Sequence, residues 1–253
     1  MSSSEFIRVT RHEGVCHLQI DRVEKKNALI EEMYRALAEQ IRLADADETI
    51  GAILLSGAGN CFTAGNDIHD FRARALAPEP RPSAGMDLIE CLMACQTPVV
   101  ASVKGLSIGI GTTLLLHCDF VLAGRSAVFR TPFVDLGLCP EAASSLLMPL
   151  MIGFRKASEL LLAGETLDAE TAWRCDLVNR VLDDADVDTE ALALAQRLAA
   201  KPRASMVLSK QLMRRAWAQL TKETLDLERE QFGQRLKSPE CRAALDRFLD
   251  RKK

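Results

Sequence analysis

Three stretches of this 253-residue chain hold residue types that could do chemistry. In the run from Leu136 to Ser145 a single carboxylate, Glu141, stands among uncharged residues. Two readings fit it. An acid in the first turn of a helix is stabilised by the helix dipole. A carboxylate surrounded by Leu138, Cys139, Leu146 and Leu147 instead loses hydration, holds its proton more tightly and could act as a general base. The second stretch, Gly57 to Asp67, is rich in small residues that let backbone approach a ligand, and Asn66 or Asp67 can cap a following helix. The third, Gly105-Leu106-Ser107-Ile108-Gly109-Ile110-Gly111-Thr112-Thr113, opens a helix whose unpaired N–H groups suit an anionic oxygen. Tight strand–helix packing would also need its glycines.

Other chemistries fail on spacing. Neither the dinucleotide Gly-x-Gly-x-x-Gly order nor the Walker A lysine occurs. The sole tyrosine, Tyr34, is followed four residues on by Ala38, so the Tyr-x-x-x-Lys pair of short-chain reductases is absent. Ser107, His117 and Asp119 could be taken for a hydrolase triad, but His117 falls late in a helix and Asp119 begins a strand. Asp135 could serve as a second acid but reads better as a loop or surface carboxylate, and His69 could lie near a ligand or be a plain surface residue.

The elements that must position these residues alternate strand and helix. Cys16, Leu18 and Ile20 alternate with His17 and Gln19, as in a half-buried strand. Ile30, Met33, Leu37 and Ile41 recur at helical spacing. Ile50 to Leu55 is a buried strand, Met86 to Cys95 a helix, and Val99 to Val103 a strand opened by Pro98. A helix runs from Ile110 to His117, followed by a strand from Phe120 to Ala123. From Glu141 on the pattern turns helical, with a helix start predicted at Thr166 to Glu170. Pro78 to Pro82 forms a loop with three prolines, expected either to be mobile or to gate a ligand. Pro202 to Arg251 holds two or three helices. The organisation is a core over 1–200 and a helical region over 201–253, with the boundary near Lys201-Pro202.

Composition narrows the class. Apolar residues make up 48% and charged residues 26%, enough for a sizeable core in one large domain. The net charge of −3 argues against general nucleic-acid binding, which needs clustered basic surface. No apolar run reaches the ~18 residues of a membrane span. The first residues lack secretory signal character and the last are not a peroxisomal address, so a cytoplasmic location is expected. The eight cysteines lack any Cys-x-x-Cys pair and read as buried thiols in a reducing compartment. Cys91 and Cys95 share a helix face, but no histidine or second pair accompanies them, so no metal site is expected.

Together, Asp21 to Leu29, Phe62 to Asp67, Val103 to Gly111 and Cys118-Asp119 resemble, in order and spacing, the crotonase (enoyl-CoA hydratase/isomerase) superfamily. The resemblance spans about Val9 to Leu182 and continues more weakly beyond. It implies an α/β fold, the crotonase (ClpP-like) spiral of repeated ββα units with a helical C-terminal trimerisation region, assembled as a homotrimer or dimer of trimers. It implies an acyl-CoA substrate, with CoA entering as part of that substrate and no separate cofactor. By the same match Lys25, Lys26, Asn27 and Ala28 line CoA, with Ala64, Gly65, Asn66, Asp67 and Ile68 beside its adenine and pantetheine. The backbone N–H groups of Ala64 and Ile110 then receive the thioester oxygen. The family usually has glycine at the latter position, so the Ile110 side chain must point away from the ligand.

The positions matching the two hydratase glutamates are Thr113 and Phe133. Neither is an acid, so hydration of a 2-enoyl-CoA lacks its usual groups, and dienoyl isomerisation would likewise miss an acid at Phe133. Thr131-Pro132-Phe133, Leu136-Gly137 and Pro140-Glu141 with Ser144-Ser145 instead resemble the monofunctional 3-enoyl-CoA isomerases of the peroxisomal type. The resemblance implies that Glu141 carries a proton from C2 to C4. The alternatives are a hydratase or other crotonase reaction, and a non-catalytic acyl-CoA- or RNA-binding member.

Overall fold

The computed structural model describes residues 4–77 and 83–250. The proline loop from Pro78 to Pro82 lies outside the described residues.

A six-stranded sheet organises the chain. Strands β1 (Ile7–His12), β2 (Val15–Ile20), β3 (Ala52–Gly57), β4 (Val99–Val103), β6 (Phe120–Gly124) and β9 (Arg180–Leu182) lie side by side in that order. Only the β1–β2 hairpin pairs antiparallel. The middle strands β3 and β4 are buried at every residue, as a sheet covered on both faces requires.

The parallel strands β2, β3, β4 and β6 each lead into a shorter second-layer segment and then a helix. After β2, Leu29 bridges Asn66, and α1 (Glu31–Ala46) follows. After β3, Thr63 bridges Ser107, and α2 (Ile68–Leu76) and α3 (Ala84–Ala94) follow. After β4 comes β5 (Leu106–Ile108), then α4 (Ile110–Thr113). After β6 comes β7 (Val128–Arg130), parallel to β5, then α5 (Ser144–Ile152) and α6 (Phe154–Leu161). This is the crotonase spiral of ββα turns. Its helices pack one buried stripe on the sheet: Met33, Leu37 and Ile41 of α1 are each buried, as their spacing predicts.

Two local expectations are corrected. The helix expected from Thr166 begins later, because Thr166–Asp168 is a strand, β8, antiparallel to β7. Helix α7 (Ala169–Arg174) starts after it, capped by Asp168 accepting from the Thr171 N–H at 2.7 Å. The helix from Ile110 tightens into a 3-10 turn at Leu114–His117.

Helix α8 (Val187–Ala199) covers the outer face of the sheet through Val187, Ala191, Ala195 and Leu198. A break at Lys201-Pro202 precedes α9 (Arg203–Arg214), α10 (Ala218–Leu236) and α11 (Pro239–Asp250). These last helices fold back on the core. Lys210 and Arg214 of α9 bind Asp119 at 2.7 and 3.0 Å, and Cys241 of α11 seats against Gly137. Among the described residues, no helix is long and apolar enough to cross a membrane.

Candidate active site

The spiral brings the two glycine-bearing segments together. Thr63 N–H donates to the Leu106 carbonyl and Ile108 N–H to the Thr63 carbonyl, so the chains run parallel from the Thr63–Ser107 bridge. A Cβ on Gly65 would lie 2.5 Å from the Ile108 carbonyl oxygen, a contact only glycine permits. Three residues beyond the bridge, the two chains reach Asn66 and Ile110.

This register corrects the expected pair of backbone donors. The Ala64 N–H is already committed, donating to the Lys26 carbonyl at 3.0 Å. The Gly65 N–H donates to Thr63 Oγ1 at 3.0 Å. Among the described residues, no acceptor takes the N–H of Asn66 or of Ile110, the first residue of α4. The donor two residues after Ala64 is therefore the free one. The matched motif alone could not show this, because it names a stretch and not which amide the fold has used.

The Ile110 side chain packs toward α3. It is buried at 3% exposure, and its Cδ1 would lie 3.3 Å from a Cβ on Gly85 of α3. The missing side chain at Gly85 makes the space that the unusual isoleucine fills. Gly109 before it takes φ 58°, which turns the chain into α4.

Glu141 lies three residues ahead of α5 and not in its first turn. Ala142 and Ala143 stand between, both left-handed at φ 60° and 56°, a conformation costly for residues other than glycine. The turn is held in part by His117, whose Nε2–H donates to the Ala142 carbonyl at 2.8 Å. Burial drives the His117 ring down to about 4, with the carbonyl bond opposing and Arg214 adding, so the ring is neutral at pH 7. Glu141 itself is 3% exposed and accepts a hydrogen bond from Thr113 Oγ1 at the end of α4. Burial raises its pKa to about 8, against the Thr113 bond, and the negative charge of Glu228 adds to the rise. The carboxyl thus sits one helical turn from the free Ile110 amide with a proton affinity near neutrality.

Four further side chains complete the site. Tyr34 of α1 donates to Asn66 Oδ1 at 2.9 Å; its hydroxyl is pushed well above its ordinary range by burial and then by the charge of Glu141. Phe133, where a second acid would stand in a hydratase, is buried with its ring edge on Phe232 of α10, centroids 6.5 Å apart. Phe232 also meets Phe71 of α2 at 6.0 Å. One turn before Phe232, Glu228 is 6% exposed and accepts from the Ser145 N–H at 2.8 Å. Sequence reading missed Tyr34, Phe232 and Glu228. Tyr34 fits an ordinary apolar helix stripe, and Glu228 is one of many acids in a charged helix, so neither carried a signal.

The other expected site residues divide. Lys25 and Lys26 are exposed, and Ala28, Ala64, Asn66, Asp67 and Ile68 are half-buried. Asn27 is fully buried and its side chain is used up: it accepts from Arg22 N–H and donates to the Ala58 and Cys61 carbonyls. Asp67 caps α2 and pairs with Arg22 at 2.8 Å. Their side chains hold the two loops together and are not presented to a ligand. Ser107 donates to the Gly111 carbonyl, and Asp119 is bound by Lys210 and Arg214, so no triad forms with His117. Asp135 pairs with Arg130 at the surface, and His69 is exposed. The Cys91 and Cys95 thiols are pushed up by burial to about 11 and 12 and donate to the Ala38 and Thr97 carbonyls. No metal-holding cluster occurs among the described residues.

A family model described as enoyl-CoA hydratase/isomerase matches residues 10–253. The chain belongs to that family. It is 34% identical over 250 residues to the 1,2-epoxyphenylacetyl-CoA isomerase of Escherichia coli K12, covering 97% of this chain and 95% of that one. It is 33% identical to rat enoyl-CoA delta isomerase 2, covering 98% of this chain and 64% of the relative's length. Among solved structures, Pseudomonas aeruginosa OdaA superposes with TM-score 0.93 at 42% identity, covering 97% of this chain and 99% of that one. An enoyl-CoA hydratase/isomerase from Pseudoalteromonas atlantica T6c gives TM-score 0.93 at 38% identity, covering 98% of both chains.

Proposed function

We propose that this family member moves the double bond of a 3-enoyl-CoA to the 2-trans position, with Glu141 as the sole proton carrier. The observation that carries this reading is one buried carboxyl of raised proton affinity beside two free amides, with Thr113 and Phe133 where hydratase acids would be. Ionised Glu141 takes the C2 proton, and the negative charge moves onto the thioester oxygen. The N–H groups of Asn66 and Ile110 receive that oxygen; one such donor lowers a barrier by about 3 kcal/mol. Protonated Glu141 then returns the proton to C4, closing the cycle with no water consumed. The enoyl-CoA delta isomerases among the relatives support this reading, and the 1,2-epoxyphenylacetyl-CoA isomerase supports isomerisation of an acyl-CoA more broadly.

Lys25 and Lys26 suit the phosphates of CoA, and the backbone from Ala28 and from Gly65 to Ile68 its pantetheine. Self-association, as a trimer or dimer of trimers, would cover the exposed apolar side chains Leu208, Leu212, Met213, Trp217 and Leu220. The test supplies 3-enoyl-CoA and follows the absorbance of the conjugated 2-enoyl thioester. Wild-type protein should generate it, and Glu141→Gln should not, while still binding acyl-CoA. Faster loss of 2-trans-enoyl-CoA through water addition would replace this reading with a hydratase.

A further inference from the structure

Glu228 has no part in that proton cycle, yet near Glu141 it leaves one buried oxygen unpartnered, as does the Ser144 hydroxyl. It reaches from α10 to the first turn of α5, where Oε1 accepts the Ser145 N–H at 2.8 Å. Its Oε2 is buried and has no hydrogen-bond partner. Among the described residues, no lysine or arginine pairs with Glu228 or with Glu141. A buried carboxylate without a cation is costly and persists where the fold or the chemistry requires it. The inward side of α10 is otherwise apolar at this point, with Leu225 before Glu228 and Phe232 one turn after it.

We propose that Glu228 is a positioning residue for Glu141: it clamps the first turn of α5 and sets a second carboxylate beside the base, making Glu141 a stronger base. This rests on the reading of Glu141 as the proton carrier. Both halves follow from placement. The Ser145 amide lies four residues after Glu141, across the strained pair Ala142-Ala143, so a fixed α5 fixes the turn that presents the base. A negative charge nearby disfavours ionisation of its neighbour and tightens that neighbour's hold on a proton.

The other groups facing the pair do not supply this effect. Thr113 of α4 donates to Glu141 and loosens its proton. Tyr34 of α1 is held neutral by burial, with Asp70 and Arg74 of α2 acting on it in opposite senses. His117 is neutral and bound to the Ala142 carbonyl. Cys139, in the loop before Glu141, is a thiol pushed up by burial and by both carboxyls. Arg235, two turns along α10, donates to the Gly137 carbonyl at 3.0 Å.

Glu228→Gln separates a charge from a clamp, because the amide oxygen still accepts the Ser145 N–H. The ionisation of Glu141 is followed by infrared titration of its protonated carbonyl band, assigned by its loss in Glu141→Gln. In Glu228→Gln that titration should move to lower pH by roughly one unit. The acid limb of the kcat profile should move with it. An unmoved titration overturns the proposal and leaves Glu228 a helix clamp alone. Glu228→Met repeats the test should the glutamine variant fail to fold: a downward shift supports the charge effect and an unmoved titration overturns it. The infrared readout needs no turnover, so failure here is distinct from failure of the isomerase reading.

Discussion

The molecule withdraws carboxylates from water in two ways, half-buried at Asp119 and fully buried at Glu141 and Glu228, and the two are joined through one histidine. Asp119 has every charge answered: Val99 N–H and Lys210 bind Oδ2, and Arg214 binds Oδ1. Glu141 receives a single hydroxyl, and Glu228 a single amide. His117 links them, its carbonyl taking Arg214 and its ring holding the Ala142 carbonyl beside Glu141. Where burial is matched by cations, the acid ties α9 to the core. Where burial is left unmatched, the acid keeps a mobile proton. In this chain the paired acid serves the scaffold, and the unpaired ones lie at the site proposed to do chemistry.

The comparison can be broken at either end. The largest expected effect is on turnover. Glu141→Gln should lower isomerase kcat by about 10²–10⁴-fold, measured as formation of the conjugated thioester. Near-normal turnover would move the chemistry elsewhere. At the other acid, Lys210→Met leaves Asp119 with Arg214 and the Val99 N–H. It should destabilise by about 1.5–3 kcal/mol in denaturant unfolding. The same variant should keep kcat within a few-fold while folded.

The third prediction concerns pH and stability. Glu141 holds its proton more tightly folded than unfolded, so its contribution is fully present at low pH and is lost as pH rises through about 8. Replacing it by glutamine should therefore stabilise the protein increasingly from pH 5 to 9, by up to roughly 5 kcal/mol. A stability difference that is flat across that range would show Glu141 to be ordinary. His117 acts in the opposite sense: its lowered value costs stability as pH falls through 6.5 toward 4. The smallest effect belongs to Thr113→Val. Losing a hydrogen bond to a charged group, worth about 1.5–3 kcal/mol, should raise the acid limb of the kcat profile. A profile unchanged in position would remove Thr113 from the site.

Much of this was legible from residue order. The strands β2, β3, β4 and β6, the helix stripes and the isolated Glu141 all follow from periodicity and local composition. What was not legible depends on which backbone groups the fold has already used. The Ala64 amide looked available until the Lys26 carbonyl, 38 residues earlier, was found on it. Asn27 and Asp67 likewise looked like ligand contacts and are bonds between loops. Phe232 and Glu228 come from a helix whose pattern is that of any charged surface helix. Only its return to Phe133 and Ser145 gives them meaning.

That return also sets an order of events during synthesis. The spiral through β9 can begin to collapse as its strands emerge, since each pairs with a neighbour already made. The wall facing Glu141 cannot close until the chain has been made through Phe232, most of a hundred residues after the base. In the interval a cationless carboxyl lies at an open apolar surface, where water can hydrate it. The energetic burden of the active site therefore falls late, on the docking of α10, after the scaffold able to carry it is complete.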